Sequence, residues 1–253
     1  MNIAERHQKI LEILTQEGHV DVNELSQRFS ISAVTIRKDL KLLEEKKLLF
    51  RSHGRAIANN PYIAENHVNV KEKLHIEEKQ SIATFAASLI QSNDHIIIAS
   101  GTSVIEFARH IKNIENITVL SASLNASLIL AENNSIDLMQ LGGIVRQSSS
   151  SVVGPMSESM LSGYTFTKLF LGVDGIDLDY GLTTTSAMEA SLNKEMIKAA
   201  QQTIVLADSS KFGRKGFGKI CELNDVDQII TDEHLDEKTR QQLLDKGIDI
   251  IVV

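Results

Sequence analysis

The sequence predicts an α/β protein in two parts: a small N-terminal unit of three helices and a hairpin, then a larger C-terminal domain with a mainly parallel sheet. Three observations carry this. Capped helical apolar patterns fill the first 58 residues. Seven short apolar runs, most separated by helical patterns, fill the remainder. The charge also changes sign, with ten Lys and Arg against eight Asp and Glu in 1–58 but 16 against 25 in 59–253. The chain has 253 residues, 42% of them hydrophobic, and the lone Cys221 excludes an internal disulfide framework. No apolar run reaches the roughly 18 residues that span a bilayer. The start, Met1 to Arg6, lacks the apolar stretch of a secretory signal. The expectation is a soluble cytoplasmic protein with no membrane partner.

Ile3, Ile10, Leu11 and Leu14 recur at helical spacing, and Gly18 stands where a glycine stops a helix. Asp21-Val22-Asn23-Glu24 reads as a capping box, with an acid at the N-cap and Glu at N3. Val22, Leu25 and Phe29 then share one face of a short second helix. Ser30-Ile31-Ser32 turns the chain into a third helix with Ser32 as N-cap, stapled by Ile31 and Ile36. Ile36, Leu40 and Leu43 form its buried stripe. At about 100° per residue the opposite face carries Val34, Lys38, Lys41 and Glu45, flanked by Thr35 and Arg37. Leu48–Arg51 and Arg55–Ala58 make the two arms of a hairpin around Ser52-His53-Gly54. Residues 1–58 therefore read as a winged helix-turn-helix.

Within 35–55 seven basic residues face three acidic ones, on a chain of net charge −7. A short cationic segment on an acidic molecule is a docking place for a polyanion. The candidate contacts with a double-stranded DNA operator are Ser32, Thr35, Arg37, Lys38 and Lys41 on the helix and Arg51, His53 and Arg55 on the wing. A solvated charged helix, or a protein-interaction module, uses the same residue types, and charge alone leaves those readings open.

Pattern goes further. Arg6-x3-Ile10-x3-Leu14, then 17 residues, then Ser32-Ala33-Val34-Thr35-Ile36-Arg37-Lys38-Asp39-Leu40 resembles the N-terminal signature of the DeoR family of bacterial transcription regulators. The family's wing reads Arg-x-His-Gly-Gly-Ala; here it is Arg51-Ser52-His53-Gly54-Arg55-Ala56, with Arg55 in place of a glycine. The resemblance implies a sequence-specific regulator. Operators read by such proteins are repeated or palindromic, so a homodimer or homotetramer is expected.

Asn59-Asn60-Pro61 breaks the pattern and 62–74 is polar and weakly periodic, so 59–74 reads as a linker. The second domain, 75–253, opens with a helix over 75–90. The apolar runs are Ile96–Ala99, Ile117–Leu120, Ile136–Leu141, Leu169–Val173, Ile204–Ala207, Gln228–Thr231 and Ile248–Val253. Helical patterns lie at 103–111, 124–132, 187–200 and 235–246.

In parallel sheets ligands bind at the carboxyl ends of the strands. Here those ends carry Ser100-Gly101-Thr102-Ser103, Gly142-Gly143, Asp174-Gly175 and, after Asp208, Lys211. Glycine lets backbone approach a ligand, and helix-start amides with hydroxyls cradle an anion. Lys194 and Lys211 offer cations, while Asp174 and Glu189 accept from sugar hydroxyls. Each motif alone is also an ordinary turn; its recurrence at several strand ends is what points to a site. No Gly-x4-Gly-Lys-Ser/Thr and no Gly-x-Gly-x-x-Gly follows a strand, so neither nucleotide binding nor a cofactor is indicated. The eight His residues show no metal-ligand spacing, so no metal is expected. Cys221 reads as a buried, inert thiol. The basic loop 211–216 either closes over an anion or is simply solvated.

The resemblance extends through this half. The family's sensor domain is similar to ribose-5-phosphate isomerase and the coenzyme A transferases, which implies control by a small phosphorylated sugar and repression of a carbohydrate uptake or catabolic operon. The family's Asp-x-Gly-Thr-Thr aligns with Ala99-Ser100-Gly101-Thr102-Ser103, and its Thr-Asn pair with Ser121-Ala122, so one acid and one Asn are absent. The opposing reading is a sugar-phosphate isomerase with a regulatory N-terminal module, in which Asp174, Glu189 and Lys194 transfer protons.

Overall fold

The seven apolar runs are the seven strands of one parallel sheet in the computed structural model, which describes residues 3–17, 19–46, 48–52, 55–57, 67–112 and 114–253. The chain divides into two compact units, Met1–Tyr62 and Ile63–Val253.

In the smaller unit, helix α1 (Ile3–Glu17) is followed by strand β1 (His19–Asp21) and helices α2 (Val22–Phe29) and α3 (Ala33–Glu45). Asp21 caps α2 as predicted, accepting from the amides of Asn23 and Glu24. Ser30 ends α2 in the left-handed region (φ 53°), with Ser26 Oγ donating to the Ile31 carbonyl at 2.6 Å. Ser32 then caps α3 through the Thr35 amide at 3.2 Å. Ile10, Leu14, Leu25, Ile36, Leu40 and Leu43 are buried together, and Ile31 packs against that cluster as the staple requires. Strands β2 (Phe50–Ser52) and β3 (Arg55–Ile57) form the hairpin, with Ser52 opposite Arg55. β1 adds a third strand antiparallel to β3; at three residues it is too short to show an alternating pattern. Gly18, His53, Gly54 and the 58–66 stretch lie outside the described residues.

The larger unit begins with α4 (Val68–Lys71) and α5 (Ile76–Ser88), then β4 (His95–Ile98), α6 (Thr102–His110), β5 (Ile117–Ser121), α7 (Leu124–Leu130) and β6 (Ile136–Gln140). An antiparallel pair, β7 (Ile144–Arg146) and β8 (Ser151–Val153), leads through α8 (Pro155–Leu161) to β9 (Phe166–Gly172). Next come β10 (Gly175–Asp177), β11 (Gly181–Thr184), α9 (Ala187–Ala199), β12 (Ala200–Leu206), β13 (Gly218–Cys221), β14 (Gln228–Thr231), α10 (Glu237–Asp245) and β15 (Asp249–Val252). β10, β11 and β13 form a second small antiparallel sheet.

The main sheet has the order β15-β14-β12-β9-β4-β5-β6, parallel throughout. Alternate residues enter two cores. Ile97, Leu169, Leu171 and Val205 face one side with Leu192 and Met196 of α9. Ile96, Ile98, Phe170 and Ile204 face the other with Ile82 of α5 and Phe107 of α6. Strands buried on both faces read as continuous apolar runs, which is why the sequence shows them clearly.

The linker reading needs correcting at its C-terminal end. Residues 67–74 belong to the larger unit: Val68 is buried there and its amide donates to the Ser148 carbonyl at 2.7 Å. Only four of these residues are helical, too few to register as periodic.

One buried ion pair orients α3. Arg6 of α1 donates from Nε and Nη2 to the two carboxylate oxygens of Asp39 at 2.5 and 2.9 Å, and both side chains are nearly buried. His7 Nε2 lies 3.2 Å from the same carboxylate. Burial pushes the Asp39 carboxyl upward, but the hydrogen bonds and charges of Arg6 and His7 outweigh it and hold the pKa below the usual carboxylate value. Asp39→Ala, which leaves Arg6 buried without its counter-ion, is expected to cost about 3 kcal/mol, read from the denaturation midpoint of the N-terminal unit. Because the folded pKa is depressed, the pair's contribution is complete above the unfolded value of about 3.9 and is lost as pH falls through the folded value. Acid titration of wild type should show that loss, and Asp39→Asn should not.

Candidate functional site

The exposed face of α3 carries the cations the sequence places there. Arg37, Lys38 and Lys41 are exposed, Val34 between them is 60% exposed, and Ile36, Leu40 and Leu43 are buried behind. Ser32 and Thr35 stand at the start of the helix with their hydroxyls 2.9 Å apart. Among the described residues, Lys41 has only a long contact to Glu45, at 4.0 Å between two exposed side chains, which leaves it available to another anion. Arg51 and Arg55 lie on the paired strands of the hairpin; His53 is outside the described residues.

A cleft opens in the larger unit at the carboxyl ends of β4 and β9. The strand order reverses here: the chain runs outward from β4 through β5 to β6, then returns to β9 on the other side of β4. Connections leave these adjacent strands toward opposite faces, which leaves a crevice between them. Ser100, Gly101, Thr102 and Ser103 form one wall as β4 turns into α6. Gly101 takes φ +119°, open to glycine but strained for other residues, and caps α6 without a side-chain hydrogen bond. The first-turn amides of α6 are thus left to other acceptors. Gly172 ends β9 against this turn, where a Cβ would fall 2.7 Å from the Ser100 carbonyl oxygen.

Two carboxylates organise the interior. Glu189 of α9 accepts from Ser100 Oγ, from Arg146 Nη1 at 3.0 Å and from Thr184 Oγ1 at 3.2 Å. Asp174, just after β9, accepts from Lys71 Nζ at 2.6 Å and, on its other oxygen, from the Thr185 amide at 3.1 Å, and it shares the single Thr184 Oγ1 hydrogen, 3.1 Å away, with Glu189. Burial drives the Asp174 carboxyl upward, but the Lys71 charge and these hydrogen bonds together hold it below the usual carboxylate range. Lys211 reaches the rim, 3.6 Å from the buried Asp208. Burial likewise raises Asp208, and Lys211, Ser210, His75 and Lys79 bring it below the normal value.

Of the strand-end residues singled out by sequence, Ser100, Gly101, Thr102, Ser103, Asp174, Glu189 and Lys211 line this one cleft. Gly142, Gly143, Gly175 and Lys194 do not. Gly142 packs beside Met156 and Met160 of α8, and Gly143 against Ser157 and the Val153 carbonyl, so this pair is a packed turn. Gly175 abuts the Arg214 carbonyl, and Lys194 is exposed on α9 outside the cleft. Missed by sequence were Lys71, Arg146, Ser148, Ser149, Gly172 and Thr184. Gly172 stood inside the apolar run Leu169–Val173, next to Asp174. Lys71 and Arg146 carried no local signal, since four residues of helix and a three-residue strand present them. Ala99 is in the core, and neither it nor Ala122 lines the cleft.

The residues proposed for isomerase chemistry do not assemble. Lys194 lies elsewhere, and both carboxylates are held by several donors. Cys221 is half-buried, its thiol pushed up to about 12 by burial and then by Asp225 and Glu222, which keeps it protonated. Among the described residues, no cluster of three His, Cys, Asp or Glu side chains is arranged for a metal, and no helix is long and apolar enough to cross a membrane.

Comparison with known proteins identifies the two domains that carry these residues. Residues 6–62 match the DeoR-like helix-turn-helix domain and 74–233 match the DeoR C-terminal sensor domain. An uncharacterized HTH-type transcriptional regulator of Bacillus subtilis, YulB, is 38% identical over 253 residues, covering 100% of this chain and 98% of the relative. The HTH-type transcriptional repressor GlcR of the same organism is 32% identical over 98% of this chain and 95% of its own. The glycerol-3-phosphate regulon repressor of Haemophilus influenzae is 32% identical over 89% and 88%. Among solved structures, ribose 5-phosphate isomerase A of Methanocaldococcus jannaschii overlaps 53% of each chain at 18% identity and a TM-score of 0.40. The chain therefore belongs to the DeoR family: it is a transcription regulator that binds DNA through an N-terminal helix-turn-helix and an effector through a C-terminal sensor domain.

Proposed function

We propose that this regulator represses a carbohydrate uptake or catabolic operon in the cytoplasm, as a homodimer or homotetramer, and that a small phosphorylated sugar in the β4/β9 cleft sets its grip on the operator. The observation that carries the effector class is the charge arrangement of the cleft. Lys71, Arg146 and Lys211 bring three cationic donor groups to the uncapped start of α6, beside Asp174, Glu189 and Asp208. Helix-start amides together with ammonium and guanidinium donors suit a phosphate, and the Asp174 and Glu189 oxygens with the Ser and Thr hydroxyls suit a polyol. The relative named for the glycerol-3-phosphate regulon supports the same class.

On the DNA side, Ser32, Thr35, Arg37, Lys38 and Lys41 would enter the major groove, with Arg51, His53 and Arg55 of the wing on phosphates or the minor groove. Ligand occupancy shifts DNA affinity to the extent that the ligand prefers one of two arrangements of the protein.

Two measurements bear on this. Arg37→Ala and Lys38→Ala should each weaken binding to the region upstream of the regulator's own operon about tenfold, and each lost phosphate contact should reduce the salt slope by about one. Unchanged binding by both variants removes α3 as the recognition element. In a melting screen, the effector at about 100 times its Kd should stabilise the sensor by about 2.7 kcal/mol, or several degrees. The unphosphorylated sugar at the same concentration should give no shift; an equal shift, or none across a broad panel of sugar phosphates, removes the phosphosugar assignment.

A further inference from the structure

One wall of the cleft comes from a segment that lies in neither matched domain. Residues 67–73 fall between the helix-turn-helix match ending at 62 and the sensor match beginning at 74, yet Val68 and Lys71 line the cleft. This segment is the first described stretch of the larger unit after the chain leaves the N-terminal unit. Four contacts fasten it. The Val68 amide donates to the Ser148 carbonyl at 2.7 Å. Lys71 Nζ donates to Asp174 at 2.6 Å. Glu72 accepts from Arg109 Nη2 of α6 at 2.8 Å. Lys79, nearly buried on α5, donates from Nζ to the carbonyls of Lys71, at 2.7 Å, and Leu74. His75, in the left-handed region at φ 52°, makes the corner into α5.

Lys71 is the one of these contacts that points into the cleft with capacity left over. An ammonium has three N–H donors, and among the described residues only the bond to Asp174 uses one. Its side chain keeps 24% of its surface exposed. Asp174 is meanwhile held from the sheet side by Thr184 and the Thr185 amide, so it stays in place whether or not Lys71 turns to a second acceptor.

We propose that residues 67–74 form a ligand-sensing strap, in which Lys71 binds the anionic group of the effector and transmits occupancy of the cleft to the segment that joins the two units. An anion held jointly by Lys71 on the strap and by the Ser100–Ser103 turn spans the cleft and tightens the strap. This rests on the sugar-phosphate reading of the cleft, and the experiment separates the two.

Hydrogen exchange by mass spectrometry on the full chain follows the amides of 68–74. Without ligand, Lys71→Gln should raise their exchange about fivefold or more, and Lys71→Arg should restore it. With inorganic phosphate, and with whichever sugar phosphate raises the melting temperature most, wild-type exchange in 68–74 should slow. Lys71→Gln should bind the same probes about tenfold more weakly and show no protection there. Binding by wild type with unaltered exchange in 68–74, or equal binding and protection in Lys71→Gln, overturns the strap and leaves the site reading intact. A wild-type protein that binds none of the probes removes the sugar-phosphate reading, and the strap with it.

Discussion

The architecture of the sensor turns on the place where strand order reverses. β4 pairs with β5 on one side and β9 on the other, and the chain reaches β9 only after completing the edge at β6. The helices on either side of that point, α5–α7 and α8–α9, pack on opposite faces of the sheet. The carboxyl ends of β4 and β9 are therefore left open toward each other, and Gly172 keeps them close because no side chain stands between them. That opening places the α6 turn from β4 and Asp174 from β9 side by side, with Glu189 of α9 between them and Arg146.

The N-terminal unit answers a different demand, that one face of a short helix be presented outward in a fixed orientation. Its apolar stripe alone would allow α3 some rotation about its axis. The Arg6–Asp39 pair limits it, since a two-pronged guanidinium–carboxylate contact has directional geometry that apolar packing lacks. Both residues belong to the stretch that resembles the family signature, and both are nearly buried, so their role is to hold the reading face rather than to read. A buried pair of this kind adds little net stability compared with apolar residues of the same volume, which fits a task of orientation.

How much of this was legible in the sequence follows element length and burial. The inner strands of the main sheet were legible because both their faces are covered, which makes continuous apolar stretches; the edge strands β6 and β15 were legible as shorter apolar runs despite their exposed residues. α3 was legible to within its N-cap, because Ser32, the Ile31–Ile36 staple and the 3.6-residue stripe agree. Strands β1, β7, β8, β10 and β13 have three or four residues each, and antiparallel edges that short leave no period to detect. The cleft was half legible for the same reason. Ser100 to Ser103 and Asp174 follow long buried strands, whereas Lys71 and Arg146 arrive on short elements whose partners, Asp174 and Glu189, are 103 and 43 residues away. Gly142-Gly143 lies outside the cleft, and there Gly143 leaves room for Ser157 of α8, whose Oγ would fall 2.3 Å from a Cβ.

The two units thus have separate physical tasks, linked by one thermodynamic requirement. A metabolite that changes DNA affinity by some factor must have its own affinity changed by DNA by the same factor. The decisive measurement is that closed cycle on the full chain: operator Kd with and without saturating sugar phosphate, and sugar-phosphate Kd with and without saturating operator. The account predicts equal ratios on the two arms, of about 5- to 150-fold. A sugar phosphate that binds the cleft tightly while both ratios stay at one would contradict it.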